Sequence, residues 1–130
     1  MRCRCAVAML KDYPKGFPLG YGRTWVTPRP TRIALLPVGY ADGYSRACSN
    51  RAEVLIQGRR YPVVGRVSMD HTMVDITDCP GVAVGSEVTL LGRDGDDLIT
   101  IDELAGHADT LPYCITCGLG NRPGRVHLPA

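Results

Sequence analysis

Glycine and proline interrupt this sequence so often that only short secondary-structure elements fit between them. The 130 residues include 15 glycines and 10 prolines, and the stretches between them are rich in Val, Ile, Leu and Thr. This pattern is typical of short strands joined by tight turns. The predicted strands cover residues 4–10, 32–38, 53–56, 61–67, 72–76, 87–91 and 98–101, with a tail near Cys114 and Val126.

Two dipeptides predict hairpin turns between consecutive strands. Gln57-Gly58 lies between the runs VLI and RRY, and Asp94-Gly95 lies between VTLL and LI. Glycine adopts positive φ without steric cost, which such turns require. Many short antiparallel strands leave exposed edges unless the sheet curls or packs on another sheet. We therefore predict an all-β, barrel-like antiparallel domain.

One helix is predicted to interrupt the strands. Thr100 and Glu103 have the spacing of a capping box, in which the hydroxyl and the carboxylate satisfy backbone N–H groups at the start of a helix. Ile101 and Leu104 then fall on one helical face, and the pattern ends near Asp109. The predicted fold class is thus mainly β with one short helix.

Composition and charge limit the function classes. At 45% hydrophobic and 22% charged residues, the chain has the make-up of one ordinary globular domain. A net charge of +2 with scattered arginines argues against a nucleic-acid partner. The apolar run after Met1 stops at Lys11, and no stretch is long enough to cross a membrane. We expect a cytoplasmic protein without a membrane partner.

Six cysteines allow a disulfide framework or a metal site to be considered. Cys3 and Cys5 form one closely spaced pair, and Cys114 and Cys117 form another with the spacing of metal ligands. Both pairs have apolar neighbours, and cysteine in such a setting is commonly a small buried hydrophobe. We therefore expect inert thiols and no metal, while a zinc-binding module stays open as an alternative.

Three segments place hydrogen-bonding side chains beside glycines. They are residues 20–24 (GYGRT), 39–46 (GYADGYSR) and 65–71 (GRVSMDH). Because glycine lets another backbone or a ligand approach closely, these segments are candidate site loops. Each is also common turn material when taken alone, so the local sequence leaves both interpretations open.

The third segment also breaks the alternation of apolar residues. Val63, Val67 and Met69 occupy odd positions, whereas Val74 and Ile76 occupy even positions. A single straight strand cannot keep one face buried through such a shift. We predict a bulge or a sharp bend at residues 69–71, a feature that is frequent beside active sites.

Four motifs follow one another along nearly the whole chain. They are residues 20–24 (GYGRT), 33–44 (IALLPVGYADGY), 64–70 (VGRVSMD) and 85–92 (GSEVTLLG). In this order and spacing they resemble the alanine racemase C-terminal domain, and the ordered set is specific where each motif alone is weak. The resemblance implies that residues 1–130 form a C-terminal β-domain. It also implies that an N-terminal α/β barrel, which binds pyridoxal 5′-phosphate (PLP), lies outside this sequence.

The resemblance further implies a reaction, a cofactor and partners. Alanine racemases are homodimeric PLP enzymes that interconvert L-alanine and D-alanine, and so supply D-alanine for peptidoglycan. Each C-terminal domain faces the barrel of the partner subunit. The implied partners are therefore the N-terminal barrel of the same protein, the barrel of the dimer mate, and an amino-acid substrate.

Residue roles follow from the same resemblance. Tyr21 matches the tyrosine that exchanges the α-proton on the L-face of the substrate, while a lysine of the barrel serves the D-face. Met69 matches the residue whose backbone N–H holds the substrate carboxylate. Tyr40 and Tyr113 match the inner ring of the substrate entrance, and Tyr113 also matches a residue near the cofactor phosphate.

Two further positions match the family and two depart from it. Arg46 and Arg66 match the outer layer of the entrance corridor. Cys114 stands where the family commonly has Glu, which changes the support of Tyr113. His71 stands where Gln is frequent, which changes a neighbour of the carboxylate site.

Neither lysine of this chain suits a covalent bond to PLP. Lys11 follows an apolar strand, and Lys15 lies in YPKG, which is typical of a turn. An anchoring lysine needs a pocket that lowers its pKa. We therefore expect both to be solvated surface lysines, with the anchor in the absent domain, and we expect the isolated chain to be inactive.

Other functions stay open at the level of sequence. A racemase of serine, lysine or another amino acid is compatible with the motifs, because residues of the absent domain partly set the pocket size. A standalone β-barrel binding protein and a zinc-binding module are the alternatives from other classes.

Overall fold

The structure is a computed structural model that describes residues 1–120 and 122–129. The strands are β1 (Cys3–Ala6), β2 (Met9–Tyr13), β3 (Pro18–Leu19), β4 (Trp25–Val26), β5 (Thr31–Leu36), β6 (Glu53–Ile56), β7 (Arg59–Pro62), β8 (Thr72–Asp75), β9 (Glu87–Asp94) and β10 (Asp97–Ile99). The helices are α1 (Ile101–His107) and α2 (Pro112–Gly118). Three 3-10 turns lie at Tyr21–Arg23, Tyr40–Asp42 and Arg46–Cys48.

Antiparallel strands make up most of the regular secondary structure, which confirms the predicted mainly-β class. One sheet has the order β1-β9-β6-β7, with β10 also paired to β9; a second has the order β2-β5-β8; β3 and β4 form a small third sheet. Leu36 and Val74 from the second sheet pack into the same buried core as Leu55 and Leu90 from the first. The two larger sheets therefore enclose a single hydrophobic core.

The N-terminal strand passes from one sheet to the other. β1 pairs with β9, and β2 pairs with β5. At the change of partner, the N–H of Val7 donates to Ser86 O at 2.9 Å and the N–H of Ala8 donates to Leu35 O at 2.9 Å. The prediction of one strand over residues 4–10 is therefore wrong. The path divides because Val7 is buried in the core that both sheets share.

The predicted strand over residues 61–67 is wrong in its second half. β7 ends at Pro62, which has no N–H to donate to a ladder. Val63 forms one isolated bridge with Val74 of β8, so this segment also links the two sheets. Gly65 then has φ of 73°, which turns the chain out of the ladder.

Both predicted hairpin turns are present. Gln57 and Gly58 have φ of 54° and 74° and join β6 to β7, in keeping with a turn that needs positive φ at both central residues. Gly95 has φ of 59° in the turn that joins β9 to β10.

The start of α1 is as predicted, but its capping box is half formed. The Thr100 hydroxyl accepts from the Glu103 N–H at 3.0 Å. The Glu103 carboxylate does not return to Thr100 and instead pairs with Arg60 of β7, which also binds Asp97. β10 ends at Ile99 because Thr100 already belongs to the cap, so the strand predicted to residue 101 is two residues too long.

A second helix replaces the predicted C-terminal strand. α2 contains Cys114, and Val126 lies outside any strand. The β-branched pair Ile115 and Thr116 favours a strand locally. Pro112 at the first helical position and the burial of Ile115 alone favour a short amphipathic helix instead. Neither helix in residues 1–120 and 122–129 has the length and apolarity to cross a bilayer.

Cysteine environments divide into two groups. Cys48 and Cys79 are buried, and Cys3 and Cys5 are half-buried against the core. Burial raises the pKa of the Cys5 thiol to about 12 and that of the Cys48 thiol to about 11. The interpretation as apolar groups packed against the core therefore agrees with the structure for Cys3 and Cys5. It is wrong for the two cysteines of α2, because both are exposed.

Replacement of Thr100 by Ala tests the helix cap. We expect the free energy of unfolding to fall by about 1 kcal/mol, because the Glu103 N–H loses its acceptor. Thr110→Ala is the matched control, since its exposed hydroxyl makes no hydrogen bond in the described part of the chain. Urea denaturation followed by circular dichroism measures both, and equal losses in the two variants would contradict the assignment of the cap.

Candidate active site

The loop after β5 packs on the segment before β8 through backbone atoms. A Cβ on Gly39 would overlap the carbonyl oxygens of Ser68 and Met69. The N–H of Tyr40 donates to Ser68 O at 3.0 Å, and the N–H of Ala41 donates to Met69 O at 3.0 Å. No side chain larger than hydrogen fits at Gly39, so Tyr40 and Met69 are held at a fixed separation.

The predicted irregularity at residues 69–71 is a tight turn. The Ser68 N–H donates to His71 O at 2.9 Å, and the His71 N–H donates to the Ser68 hydroxyl at 3.0 Å. Met69 stands at the tip with 53% of its surface exposed. Within residues 1–120 and 122–129, its backbone N–H donates to no acceptor. The turn therefore presents a free backbone donor.

A charged network joins the same loop and turn. The buried Asp42 carboxylate accepts from the Gly39 N–H at 3.0 Å. Arg122 lies 2.9 Å from Asp42 through Nε and 2.8 Å from Asp70 through Nη1. The hydrogen bond to Asp70 and the charge of Asp42 raise the pKa of Arg122. One arginine thus ties the loop of Tyr40 to the turn of Met69.

Tyr21 lies on an exposed 3-10 turn beside the Gly65-Arg66 segment. A Cβ on Gly20 would stand 3.2 Å from Arg66 N, and Gly20 itself has φ of 77°. The Tyr21 side chain is 72% exposed. It borders an open cleft of about 350 Å³, which is lined by Gly20, Tyr21, Leu35, Arg66, Ser68, His71 and Met73.

Asn50 connects two of the candidate loops and was not singled out from the sequence. Its side-chain oxygen accepts from the Gly65 N–H at 2.6 Å, and its amide nitrogen donates to the Thr24 hydroxyl at 3.0 Å. The neighbouring Ser49 hydroxyl accepts from the Val67 N–H at 2.8 Å. The one local signal is that Asn tolerates positive φ, which is 57° here.

The turn of Arg46 and the helix of Tyr113 adjoin these loops. Arg46 O accepts from the Ser49 N–H at 3.1 Å. The Arg46 turn is therefore continuous with Ser49 and Asn50, whose side chains bind the backbone of residues 65–67. A Cβ on Gly43 would overlap Gly118 O at the end of α2. Tyr113, on the first turn of that helix, is 80% exposed.

The structure brings some predicted site residues together more closely than others. Tyr21 and Arg66 line one cleft, and backbone hydrogen bonds join the loop of Tyr40 to the turn of Met69. Arg46 and Tyr113 lie on adjoining elements, and their side chains form no hydrogen bond to those of Tyr21, Tyr40 or Met69 in the described residues. Asn50 and Arg122 are supporting residues that the sequence interpretation missed, and Asp42 lies in the predicted loop of residues 39–46 without a role assigned to it.

Neither lysine lies at this surface cleft. Lys11 and Lys15 are exposed, as predicted, and Lys11 Nζ lies 5.2 Å from the centre of the Tyr13 ring. The described residues also contain no cluster of three or more His, Cys, Asp or Glu side chains placed to hold a metal ion.

Comparison with known proteins identifies the family. The profile of the family described as alanine racemase, C-terminal domain, matches residues 1–127. The alanine racemase of Geobacter sulfurreducens is 50% identical over 129 residues, which cover 98% of this chain and 34% of that protein. The alanine racemase of Symbiobacterium thermophilum is 53% identical over 121 residues, 93% of this chain and 32% of that protein.

Solved structures agree with this match. The alanine racemase of Streptomyces lavendulae superimposes with a TM-score of 0.91 at 35% identity, over 100% of this chain and 34% of that one. The Bartonella henselae enzyme, solved with covalently bound pyridoxal phosphate, gives 0.90 at 31% identity, over 98% and 34%. The chain spans about one third of the length of these relatives. It belongs to the alanine racemase C-terminal domain family.

Replacement of Gly39 by Ala tests the backbone contact. We expect the free energy of unfolding to fall by at least about 2 kcal/mol, because the new methyl group overlaps two carbonyl oxygens that cannot both move. Gly106→Ala in α1 is the matched control, since its Cβ meets no atom within 4 Å, and we expect a gain of about 0.5–1 kcal/mol. Urea denaturation compares them, and wild-type stability of Gly39→Ala would refute the contact.

Proposed function

We propose that this chain is the C-terminal β-domain of a PLP-dependent alanine racemase that interconverts L-alanine and D-alanine. One observation carries the proposal. Tyr21, Tyr40 and Met69 are exposed at 72%, 49% and 53%, on loops that backbone contacts hold in place. Large residues that are exposed on such a rigid scaffold contribute little to stability. A binding or catalytic site, in contrast, needs its groups to be placed this precisely.

Tyr21 acts on the L-face of the substrate in this proposal. Its phenol exchanges the α-proton, and a lysine of the barrel domain serves the opposite face. The 3-10 turn that carries the Tyr21 ring is fixed by two contacts. Gly20 packs against Arg66, and the Asn50 side chain binds the Gly65 N–H. Because a proton moves efficiently only at hydrogen-bond range, fixing this turn is the contribution of the scaffold.

Met69 contributes its backbone rather than its side chain. The N–H at the tip of the turn, which has no acceptor among residues 1–120 and 122–129, binds the substrate carboxylate, an anion that backbone donors recognise well. The Gly39 contact and the Arg122 network keep this donor at a fixed distance from Tyr40. Tyr40 belongs to the inner ring of the entrance, with Tyr113.

The remaining residues suit an anionic ligand. Arg46 and Arg66 line the outer corridor, where guanidinium groups attract and orient carboxylates. Tyr113 stands exposed at the start of α2, where its hydroxyl is available to the cofactor phosphate. This donor set fits the phosphate of PLP and the carboxylate of an amino acid, while the covalent anchor is left to the barrel domain.

The barrel domain of the dimer mate completes the site in this proposal. Bound PLP delocalises the negative charge that remains when the α-proton leaves. The present chain places one acid/base group, one carboxylate donor and the walls of the entrance. The Geobacter sulfurreducens and Symbiobacterium thermophilum relatives are alanine racemases, which supports alanine over serine or lysine as the substrate.

The 130-residue chain alone is expected to bind no PLP covalently and to racemise no alanine. Lys11 and Lys15 are exposed and do not line the cleft, so neither lies in a pocket that could enclose the cofactor. We would treat the chain with PLP and borohydride and map reduced cofactor by mass spectrometry, with the full-length protein as the positive control. Full occupancy of either lysine would overturn the expectation.

Replacement of Tyr21 by Phe in the full-length protein tests the acid/base role. We expect washout of the α-deuterium from L-alanine to fall by about 10² to 10⁴, which is the usual contribution of general-base catalysis. Washout from D-alanine is spared more, because the barrel lysine remains.

Tyr40→Phe is the matched control, since it removes a hydroxyl from the entrance and not from the reacting face. Its effect on washout is expected to be much smaller for both enantiomers. Racemisation must fall equally in both directions at equilibrium, so only isotope exchange without inversion reveals the asymmetry. Washout from L-alanine at the wild-type rate in Tyr21→Phe would show that the matched tyrosine is structural only.

A further inference from the structure

Helix α2 carries two thiols on its surface. Cys114 and Cys117 are both exposed, whereas the other four cysteines are buried or half-buried. They are three residues apart, so they lie on the same side of the helix. The proposed racemase chemistry uses neither of them.

The helix geometry brings the pair close to bonding range. In an α-helix, residues three apart have Cα atoms about 5 Å from each other, inside the usual disulfide range of about 4.4–6.8 Å. Their Cβ atoms are about 5–6 Å apart, whereas a disulfide needs about 3.5–4.5 Å. The two Cβ atoms must therefore move about 1–2 Å closer together before a disulfide can form.

The first turn of α2 departs from regular α-helical hydrogen bonding. The Cys114 N–H donates to Leu111 O at 2.9 Å, a bond between residues three apart, as in a 3-10 helix. In a 3-10 helix the side chains at i and i+3 lie directly above one another, but the larger rise keeps their Cα atoms about 6 Å apart, so the bond requires a local distortion of the turn from Cys114 to Cys117. With only seven residues, α2 has few α-helical hydrogen bonds that would oppose the change.

We infer that Cys114 and Cys117 are a redox modification site, at which a reversible disulfide forms within α2. The inference rests on the helix itself and does not depend on the proposed racemase activity.

The bond forms by exchange with a low-molecular-weight disulfide. The thiolate of one cysteine attacks that disulfide, forms a mixed disulfide and releases one small thiolate. The second cysteine thiolate then attacks the protein sulfur and releases the second small thiolate. Two protein thiols lose their protons and two electrons in total, and the small disulfide is reduced to two thiols.

Oxidation changes the turn that begins with Tyr113. The Thr116 hydroxyl donates to Tyr113 O at 2.9 Å across the segment that the disulfide would tighten. Shortening the span from Cys114 to Cys117 moves Thr116 relative to Tyr113, so this hydrogen bond weakens. The backbone that positions the exposed Tyr113 ring therefore differs between the oxidised and the reduced chain.

The other thiols are poorly placed for the same chemistry. Burial raises the pKa of Cys5 to about 12 and that of Cys48 to about 11, so little thiolate is present at neutral pH. A chain exposed to a mild oxidant is thus expected to react first on α2.

Mass spectrometry of the redox-equilibrated chain tests the inference. The full chain is equilibrated with mixtures of reduced and oxidised glutathione, quenched with acid, alkylated and digested with trypsin. The peptide covering residues 94–125 contains Cys114 and Cys117 as its only cysteines, since Pro123 blocks cleavage after Arg122. We expect this peptide to lose two hydrogens under oxidising mixtures and to recover them with excess reduced glutathione.

Single variants supply the controls. Cys114→Ser and Cys117→Ser should each lose the internal bond and carry a mixed disulfide with glutathione instead, while Cys79→Ser should keep it. Mixed disulfides or dimers as the only oxidised products of the wild-type chain would overturn the inference.

Hydrogen exchange tests the effect on α2. Amides of residues 113–119 should exchange several-fold faster in the oxidised chain, while those of α1 stay unchanged. A disulfide that forms with no change in exchange at α2 would refute the coupling to Tyr113. Circular dichroism checks that each variant keeps the fold.

Discussion

Backbone-to-backbone contact at two glycines is the constraint on which the candidate site depends. Gly39 lies against the carbonyl oxygens of Ser68 and Met69, and Gly43 lies against the last residue of α2. Because glycine has no side chain at either contact, three segments that are far apart in sequence approach one another closely through their backbones. The exposed side chains are thus mounted on fixed backbone, and their own rotamers are the main freedom left to them.

Charge reinforces what the glycines allow. Burying the Asp42 carboxylate is favourable only if it is paired and hydrogen-bonded, and the Gly39 N–H and Arg122 supply both partners. Because Arg122 also reaches Asp70, the guanidinium group that pairs with the buried carboxylate also joins the loop to the turn. Packing and electrostatics therefore select the same arrangement of the Tyr40 loop and the Met69 turn.

Features that depend on near neighbours were predictable from the sequence. The turn at Gln57-Gly58, the cap at Thr100 and the bend at residues 69–71 each depend on a few adjacent residues. The ordered motifs likewise gave the family and its matched residues, whose chemical roles stay predictions. What the sequence did not reveal depends on distant contacts. Glu103 pairs with Arg60 instead of completing the helix cap, and α2 forms where the local residues favour a strand. Asn50 binds Gly65 and Thr24, which lie 15 and 26 residues away in sequence.

The change of partner at Val7 and Ala8 has a consequence for the order of folding. Cys5 is paired with Val88 in the first sheet, and Leu10 is paired with Ala34 in the second. The short segment that contains β1 and β2 therefore contributes a strand to each sheet. The first of these pairings must close a loop of more than eighty residues, which is costly in entropy and slow to form. The middle of the chain can form its local hairpins first, with the N-terminal strand joining last. Late docking of this strand would then be the step that makes the two sheets one cooperative unit.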